Sequence, residues 1–244
     1  MDEEIRCSVA MATYNGELYI AQQIESVLNN MSVNDELVIS DDGSTDDTRK
    51  IVQQYMESDK RIKLIDGPGK CAIKNFEKVL QNVKGRVVFL CDQDDIWAED
   101  KIKTVLSVLQ GDVSLVMHDA TVIEEENVVF PSFMRHRGSK RGFCHNILKN
   151  SYIGCCMAFR RELLDYILPF PENICMHDQW IGLINELIGE SRFVEDKLIQ
   201  YRRHGNNASP MTGKSTQEKI KNRWNMLTAV NKRMKTMKRQ RGKS

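Results

Sequence analysis

Three carboxylates fall within four positions in LCDQDDIW, Leu90–Trp97, directly after an apolar run. On a bare loop Asp92, Asp94 and Asp95 would repel one another. A divalent cation reverses that balance. Mg²⁺ and Mn²⁺ prefer oxygen ligands and typically use one or two carboxylates together with substrate phosphates. A second acidic run, Asp41-Asp42-Gly43-Ser44-Thr45-Asp46, follows ELVIS, and it is also good turn and helix-cap chemistry. His118-Asp119, Asp178 in MHDQW, and Arg202-Arg203-His204 stand later in the chain. A carboxylate such as Asp178 can take a proton from an attacking hydroxyl, or simply cap the helix it opens. His204 suits a metal or a phosphate, and equally a basic surface turn.

These groups need elements to position them. Short apolar runs alternate with helical spacing: Cys7–Ala12, Glu36–Ser40, Ile62–Ile65 and Arg86–Cys91 read as strands. The repeats Ile20/Ile24/Val27, Ile51/Val52/Tyr55, Ile73/Phe76/Val79/Leu80/Val83 and Ile102/Val105/Leu106/Leu109 read as helices. Continuous apolar strands between amphipathic helices imply an α/β fold with a mostly parallel central sheet covered on both faces. Ligands of such sheets sit at the carboxyl ends of strands, where Thr13-Tyr14-Asn15-Gly16, Asp41-Asp42 and Asp92–Asp95 all fall. In the second half Val113–His118, Cys156–Arg160 and Arg192–Ile199 read as strands, Thr121–Phe130 as a hairpin-like excursion and Trp180–Ile188 as a helix.

The expected organisation is one catalytic domain over 1–213. Residues 1–113 read as its nucleotide-binding half and 114–213 as a half that could hold a second substrate; a basic amphipathic tail occupies 214–244. That tail holds seven Lys and four Arg against the single acid Glu218, so the body before it is acidic, which argues against a nucleic-acid partner. Ile220, Trp224, Leu227, Val230, Met234 and Met237 form a helical stripe opposite Lys221, Lys232 and Arg239. Either the stripe packs on the domain, or 217–244 makes a peripheral contact with an anionic membrane. No run approaches the ~20 apolar residues of a membrane span. The start MDEEIRCSVAM is acidic where a signal peptide is basic, and the seven Cys show no CxxC spacing. The expected location is cytoplasmic, at most peripheral to the inner membrane face. GxGxxG and GxxxxGK[ST] are both absent, which excludes the usual dinucleotide and P-loop cradles.

The segments SVAMATYNG, ELVISDDGSTDDT, VVFLCDQDDIWAEDKI, YIGCCMAFRREL, MHDQWIGL and LIQYRRHGNNAS, in that order, resemble family 2 glycosyltransferases of the GT-A fold. DQDDIW, HDQW and YRRHGNN resemble the bacterial branch that builds surface polysaccharides and includes rhamnosyltransferases. The resemblance implies an inverting, metal-dependent sugar transfer with Mn²⁺ or Mg²⁺. Thr13, Tyr14 and Asn15 would line the base pocket, Asp42 would accept from the base and Asp41 would support its turn. Asp92 and Asp94 would contact the donor, Asp94 and Asp95 the metal, with His204 a further ligand. Arg202, Arg203 and the stretch after them would close over the diphosphate, and Asp178 would be the general base. His118, Asp119, Gly154, His177 and Trp180 would face the acceptor, a glycan or lipid-linked oligosaccharide. A UDP-sugar and dTDP-rhamnose both fit as donor. The rivals are a nucleotidyltransferase, which would be expected to carry a Gly-rich basic loop where this chain has ATYNGELY, and a non-catalytic sugar-nucleotide-binding protein, which would not need Asp178.

Overall fold

The chain is known from a computed structural model that describes residues 5–205 and 215–241. The stretch from Asn206 to Gly213, expected to follow over a diphosphate, lies outside the described residues. Alternating strands and helices open the chain. β1 (Cys7–Thr13) leads to α1 (Ile20–Leu28), β2 (Asp35–Asp41) to α2 (Thr48–Ser58), and β3 (Ile62–Asp66) to α3 (Ala72–Leu80). β4 (Val87–Cys91) passes through the two-residue β5 (Ile96–Trp97) to α4 (Lys101–Val108). Every residue of β2 is buried, as is all of β1 except half-buried Ala12, which is why these strands read as unbroken apolar runs. β1 pairs in parallel with both β2 and β4, and β2 with β3.

The second half continues the same sheet. β6 (Val113–Glu124) turns through Glu125, at φ 55°, into β7 (Asn127–Phe130). α5 (Phe133–Arg137), α6 (Phe143–Leu148), a 3-10 turn over Gly154–Cys156, β8 (Met157–Arg160) and α7 (Leu164–Ile167) follow. α8 (His177–Ile188), β9 (Glu190–Arg203) and α9 (Thr216–Arg241) complete the described chain. The sheet order is β3-β2-β1-β4-β8-β6-β9-β5, with β7 beside β6. β8 runs antiparallel to β4 and β6, whereas β6 and β9 are parallel, so the sheet is mostly parallel, as expected.

β6 and β9 are longer than their apolar runs suggest. They stay paired past Asp119, from Thr121↔Gln200 to Glu124↔Arg203, after bulges that skip the charged Glu195-Asp196. That charged interruption hides the strand in the sequence. β5 was not expected either. It pairs Ile96 with Gln200 and Trp97 with Ile199, and this short ladder sets the Asp92–Asp95 loop against the end of β9.

The tail stripe divides in two. Met226, Val230 and Met237 are buried, with Ala229 and Met234 partly so, and Arg233 donates to Tyr166 O at 2.6 Å and Leu168 O at 2.7 Å. Ile220, Trp224 and Leu227 face solvent at 60%, 71% and 39% exposure. Thus α9 is docked on the domain by one face, and a second apolar face near its start is left open. Among the described residues no helix is long and apolar enough to cross a membrane.

Candidate active site

The ends of β1, β2 and β4 meet at one edge of the sheet. Buried Asn75 on α3 donates to Thr13 O at 3.2 Å and Ser40 O at 2.8 Å, tying the ends of β1 and β2 together. Asp41 is buried, accepts from Ser44 N at 3.0 Å and pairs with Arg49 at 3.1 Å, so it holds the turn that follows. Asp42 accepts from Gly69 N at 2.7 Å and Lys70 N at 3.1 Å; each carboxylate oxygen keeps a second lone pair for an incoming donor. Asn15 adopts the left-handed region, φ 47°, and its Oδ1 accepts from Thr45 N at 2.9 Å. Tyr14 is 55% exposed at the rim.

Gln93 stitches the first loop to the third. Its Oε1 accepts from Tyr14 N at 2.8 Å and from Thr13 Oγ1, while its Nε2 donates to Tyr14 O at 3.0 Å. A side chain at Gly16 would place a Cβ 2.4 Å from Gln93 Oε1.

The acidic cluster sits beside this clamp. Ligand atoms of Asp92, Asp95 and Cys155 lie within 4.8 Å of one another. Burial, then the charges of Asp94 and Asp178, push the Asp92 carboxyl up to about 7. Burial followed by Asp94 and Asp92 holds Asp95 well above the usual carboxylate range. Asp95 Oδ1 accepts from Arg202 N at 2.9 Å, while its buried Oδ2 has no nitrogen or oxygen partner among the described residues. Burial also raises Asp94, against the pull of His204, whose Nε2 is 2.8 Å from Asp94 Oδ2. An unsatisfied buried carboxylate oxygen among mutually repelling acids fits a divalent cation. The Cys155 thiol does not suit a hard cation. Its hydrogen bond with Cys156, then burial, keep it protonated. Asp92 and Asp95 are therefore the carboxylates whose grouping among the described residues fits an ion, while Asp94 and His204 are paired with each other.

Asp178 lies in the first turn of α8, 4% exposed, and lines with Asp92 a cavity of about 1080 Å³. Burial raises its carboxyl to about 6, against hydrogen bonds from Gln179 N and from Asn150 Nδ2 at 3.3 Å. Gly154, His177, Tyr201 and Arg203 share this cavity. His177 stacks on Phe76 at 4.1 Å between centroids, and burial lowers it to about 4, so it is neutral beside Asp178. A Cβ at Gly154 would stand 3.0 Å from His177 Nε2, so the glycine makes room for that ring.

A charged metal-type cluster and a raised carboxylate, opening on one cavity at the carboxyl ends of strands, suit transfer to a hydroxyl. The family model for glycosyl transferase family 2 matches residues 8–168. The chain belongs to that family. The dTDP-rhamnosyl transferase RfbG of Shigella flexneri is 28% identical over 215 residues, covering 81% of this chain and 72% of RfbG. The teichuronic acid biosynthesis glycosyltransferase TuaG, a putative assignment in Bacillus subtilis strain 168, is 31% identical over 206 residues, covering 78% and 80%. In fold, the chain is similar to S. aureus TarS 1–349 in complex with UDP-GlcNAc, with a TM-score of 0.70 at 20% identity, over 93% of this chain and 66% of that one. The chain is thus a glycosyltransferase of GT-A fold with relatives in bacterial surface-glycan synthesis.

Three residues expected at the acceptor side of this transferase lie elsewhere. Trp180 is fully buried and donates Nε1–H to Ile167 O at 2.9 Å, because α8 presents it to the core rather than to the cavity. His118 is buried within β6, its Nδ1 2.8 Å from Asp119 O; burial holds it neutral. Asp119 accepts from Met134 N at 2.8 Å and from Ser132 Oγ, which anchors the start of α5. Both belong to a strand that runs on rather than ending at His118. Arg202 and Arg203 also separate. Arg202 donates to Asp94 O at 2.9 Å and Gln22 Oε1 at 2.8 Å and lies over Tyr19, bracing the acidic loop, while Arg203 lines the cavity. Strand alternation explains the split and adds Tyr201, two residues from Arg203, to the cavity wall. Gln93, Asn75 and Tyr201 were not singled out from the sequence. Only Gln93, set between the acids, offered a signal.

Proposed function

We propose that the chain moves a sugar, with inversion, from a nucleotide-diphosphate donor to a hydroxyl of a glycan or lipid-linked acceptor in bacterial cell-surface polysaccharide synthesis. The observation that carries this reading is that Asp92, from the donor edge, and Asp178, from α8, line one cavity. Thr13, Tyr14, Asn15, Asp41 and Asp42 would receive the nucleoside. Asp92, Asp94, Asp95 and His204 would hold Mn²⁺ or Mg²⁺, which when bound offsets charge on the leaving diphosphate. The acceptor oxygen forms its bond to the anomeric carbon as that carbon's bond to the diphosphate oxygen breaks. The hydroxyl proton passes to Asp178, and the nucleoside diphosphate departs with the electron pair. A UDP-sugar or dTDP-rhamnose serves as donor; RfbG's name supports the second.

The test is Asp178→Asn. A general base contributes roughly 10²–10⁴-fold. The variant is expected to lose that much in transfer while binding the nucleotide sugar normally, read by calorimetry with Mn²⁺ and a panel of donors. Transfer at the wild-type rate overturns the assignment of the base.

A further inference from the structure

Asp178 is held through one of its two carboxylate oxygens. Oδ1 accepts from Gln179 N and from Asn150 Nδ2 at 3.3 Å, and among the described residues no side chain donates to Oδ2. Gln179 is the next residue of α8, so the bond from Asn150 is the one that reaches Asp178 from outside its own helix. Asn150 lies in the stretch between α6 and the 3-10 turn at Gly154, and it lines the same cavity as Asp178.

The Asn150 amide has a single workable orientation. Its Oδ1 accepts from Tyr152 N at 3.0 Å, while its Nδ2 donates to Tyr152 O at 3.0 Å. A flipped amide would set its oxygen against both Tyr152 O and the Asp178 carboxylate, acceptor against acceptor. The clamp on Tyr152 therefore aims an N–H at Asp178. Tyr152 is itself anchored on α8. It is buried, its hydroxyl donates to Glu186 Oε1 at 2.6 Å, and a Cβ at Gly182 would stand 2.3 Å from its ring. Between the two, Ser151 N donates to Asn146 Oδ1 at 2.8 Å, and Asn146 O accepts from Gln179 Nε2 at 2.7 Å. Every residue from Asn150 to Tyr152 is thus tied to α8, directly or through α6.

Turn formation explains only part of this. An Asx turn needs the oxygen that accepts from Tyr152 N, and an aspartate would supply it equally well. The amide nitrogen adds the bond to Asp178, which also works against the rise that burial gives that carboxyl. A base is held to its task by a third group that orients it, and a misplacement of about 1 Å can cost about 10²-fold in rate.

We propose that Asn150 is a positioning residue for the transfer: it fixes Asp178 Oδ1 so that Oδ2 meets the attacking hydroxyl. This deepens the sugar-transfer reading above and rests on its assignment of Asp178 as the base.

The readout is release of nucleoside diphosphate from UDP-glucose and from dTDP-rhamnose by the full chain with Mn²⁺. Water serves as the acceptor, so no acceptor sugar has to be assumed. Donor binding is followed by calorimetry and the fold by melting. Asn150→Ala is expected to lower kcat roughly 10- to 10²-fold with donor affinity unchanged. In an Asp178→Asn background the same change is expected to cost nothing further, because the group it positions is gone. Asn150→Asp keeps the acceptor for the turn, and so tests the bond to Asp178 even if the alanine variant folds poorly. It is expected to melt like the wild type and to lose at least as much rate, since it sets an acceptor where a donor is needed. A wild-type rate in Asn150→Ala, an equal loss in the Asp178→Asn background, or a fully active Asn150→Asp overturns the proposal while the base assignment stands. A wild-type rate in Asp178→Asn is a different result: it removes the base, and the role of Asn150 with it.

Discussion

His204 Nε2 lies 2.8 Å from Asp94 Oδ2, joining the end of β9 to the loop after β4, with the Tyr19 ring stacked on the imidazole at 4.8 Å. An imidazole held against a carboxylate at the mouth of an acidic cluster is placed to exchange that partner for a cation. His204→Ala is therefore expected to weaken Mn²⁺ binding on the order of tenfold or more. The free ion's paramagnetic resonance signal measures this without any turnover. Unchanged affinity would confine the ion to Asp92 and Asp95.

The raised carboxyls set the direction of the pH response. Asp178 stands at about 6 and Asp92 at about 7, both above the ordinary 3.8. Their neutral forms suit the buried site. The stability tied to them is fully present below the unfolded value and is lost as pH rises through about 6 and 7. The metal-free chain should therefore melt at a lower temperature at pH 8 than at pH 5, and Asp178→Asn should reduce that drop. Catalysis runs the other way. A base must be unprotonated, so kcat/KM should fall as pH drops through about 6, approaching tenfold per pH unit well below it. A flat profile down to pH 5 would remove Asp178 as the base.

Much of the first half was legible because each buried strand is an apolar run ending in polar residues, as VVFLC ends at Asp92. The fold class and the placing of Asp41, Asp92 and Asp178 followed from that pattern and from the family resemblance. The second half was harder to read for a physical reason. β9 carries Glu195-Asp196-Lys197 at a bulge, so its apolar period breaks in the middle of the strand. With that strand cut short, the alternation of Tyr201, Arg202 and Arg203 was lost, and so was the division of the two arginines between loop and cavity. Trp180 misled in the opposite sense: a large ring two residues after Asp178 is on another face of the helix.

Gln93 is the residue whose loss should show most clearly in donor binding alone. Its amide satisfies both the N–H and the C=O of Tyr14, so one side chain holds both backbone groups of this residue in the loop that would receive the base. Gln93→Ala leaves those backbone groups to water and frees the loop. The expected result is a rise in donor KM of roughly tenfold, equivalent to losing about 1–2 kcal/mol of hydrogen bonding, with acceptor KM and melting temperature little changed. Gln93→Glu separates the two bonds. It keeps the acceptor for Tyr14 N but loses the donor to Tyr14 O, and it adds a fourth acid to the cluster. Its donor KM should rise further at low metal concentration. If both variants bind donor like the wild type, the clamp has no role in donor binding.

Lys101 is the cation that lets so many acids share one pocket. It is fully buried on α4, its Nζ donates to Cys155 O at 2.8 Å, and it lies 3.8 Å from the centroid of the Trp97 ring. Its charge opposes the rise of the Asp92 carboxyl; burial lowers its own pKa, against the opposing pull of Cys156, Cys91, Cys155 and Asp95. Replacing it with Met keeps the apolar stem and removes the charge. Asp92 and Asp95 would then hold their protons to higher pH, and a cation would have to displace them. Lys101→Met is expected to fold and to bind Mn²⁺ roughly tenfold more weakly at pH 7, in the range seen when groups behind metal ligands are removed. The deficit should shrink as pH rises, because competing protons are the cause. A deficit that is constant across pH 6–9 would mean that Lys101 acts by shape, through Cys155 and Trp97, and not by charge.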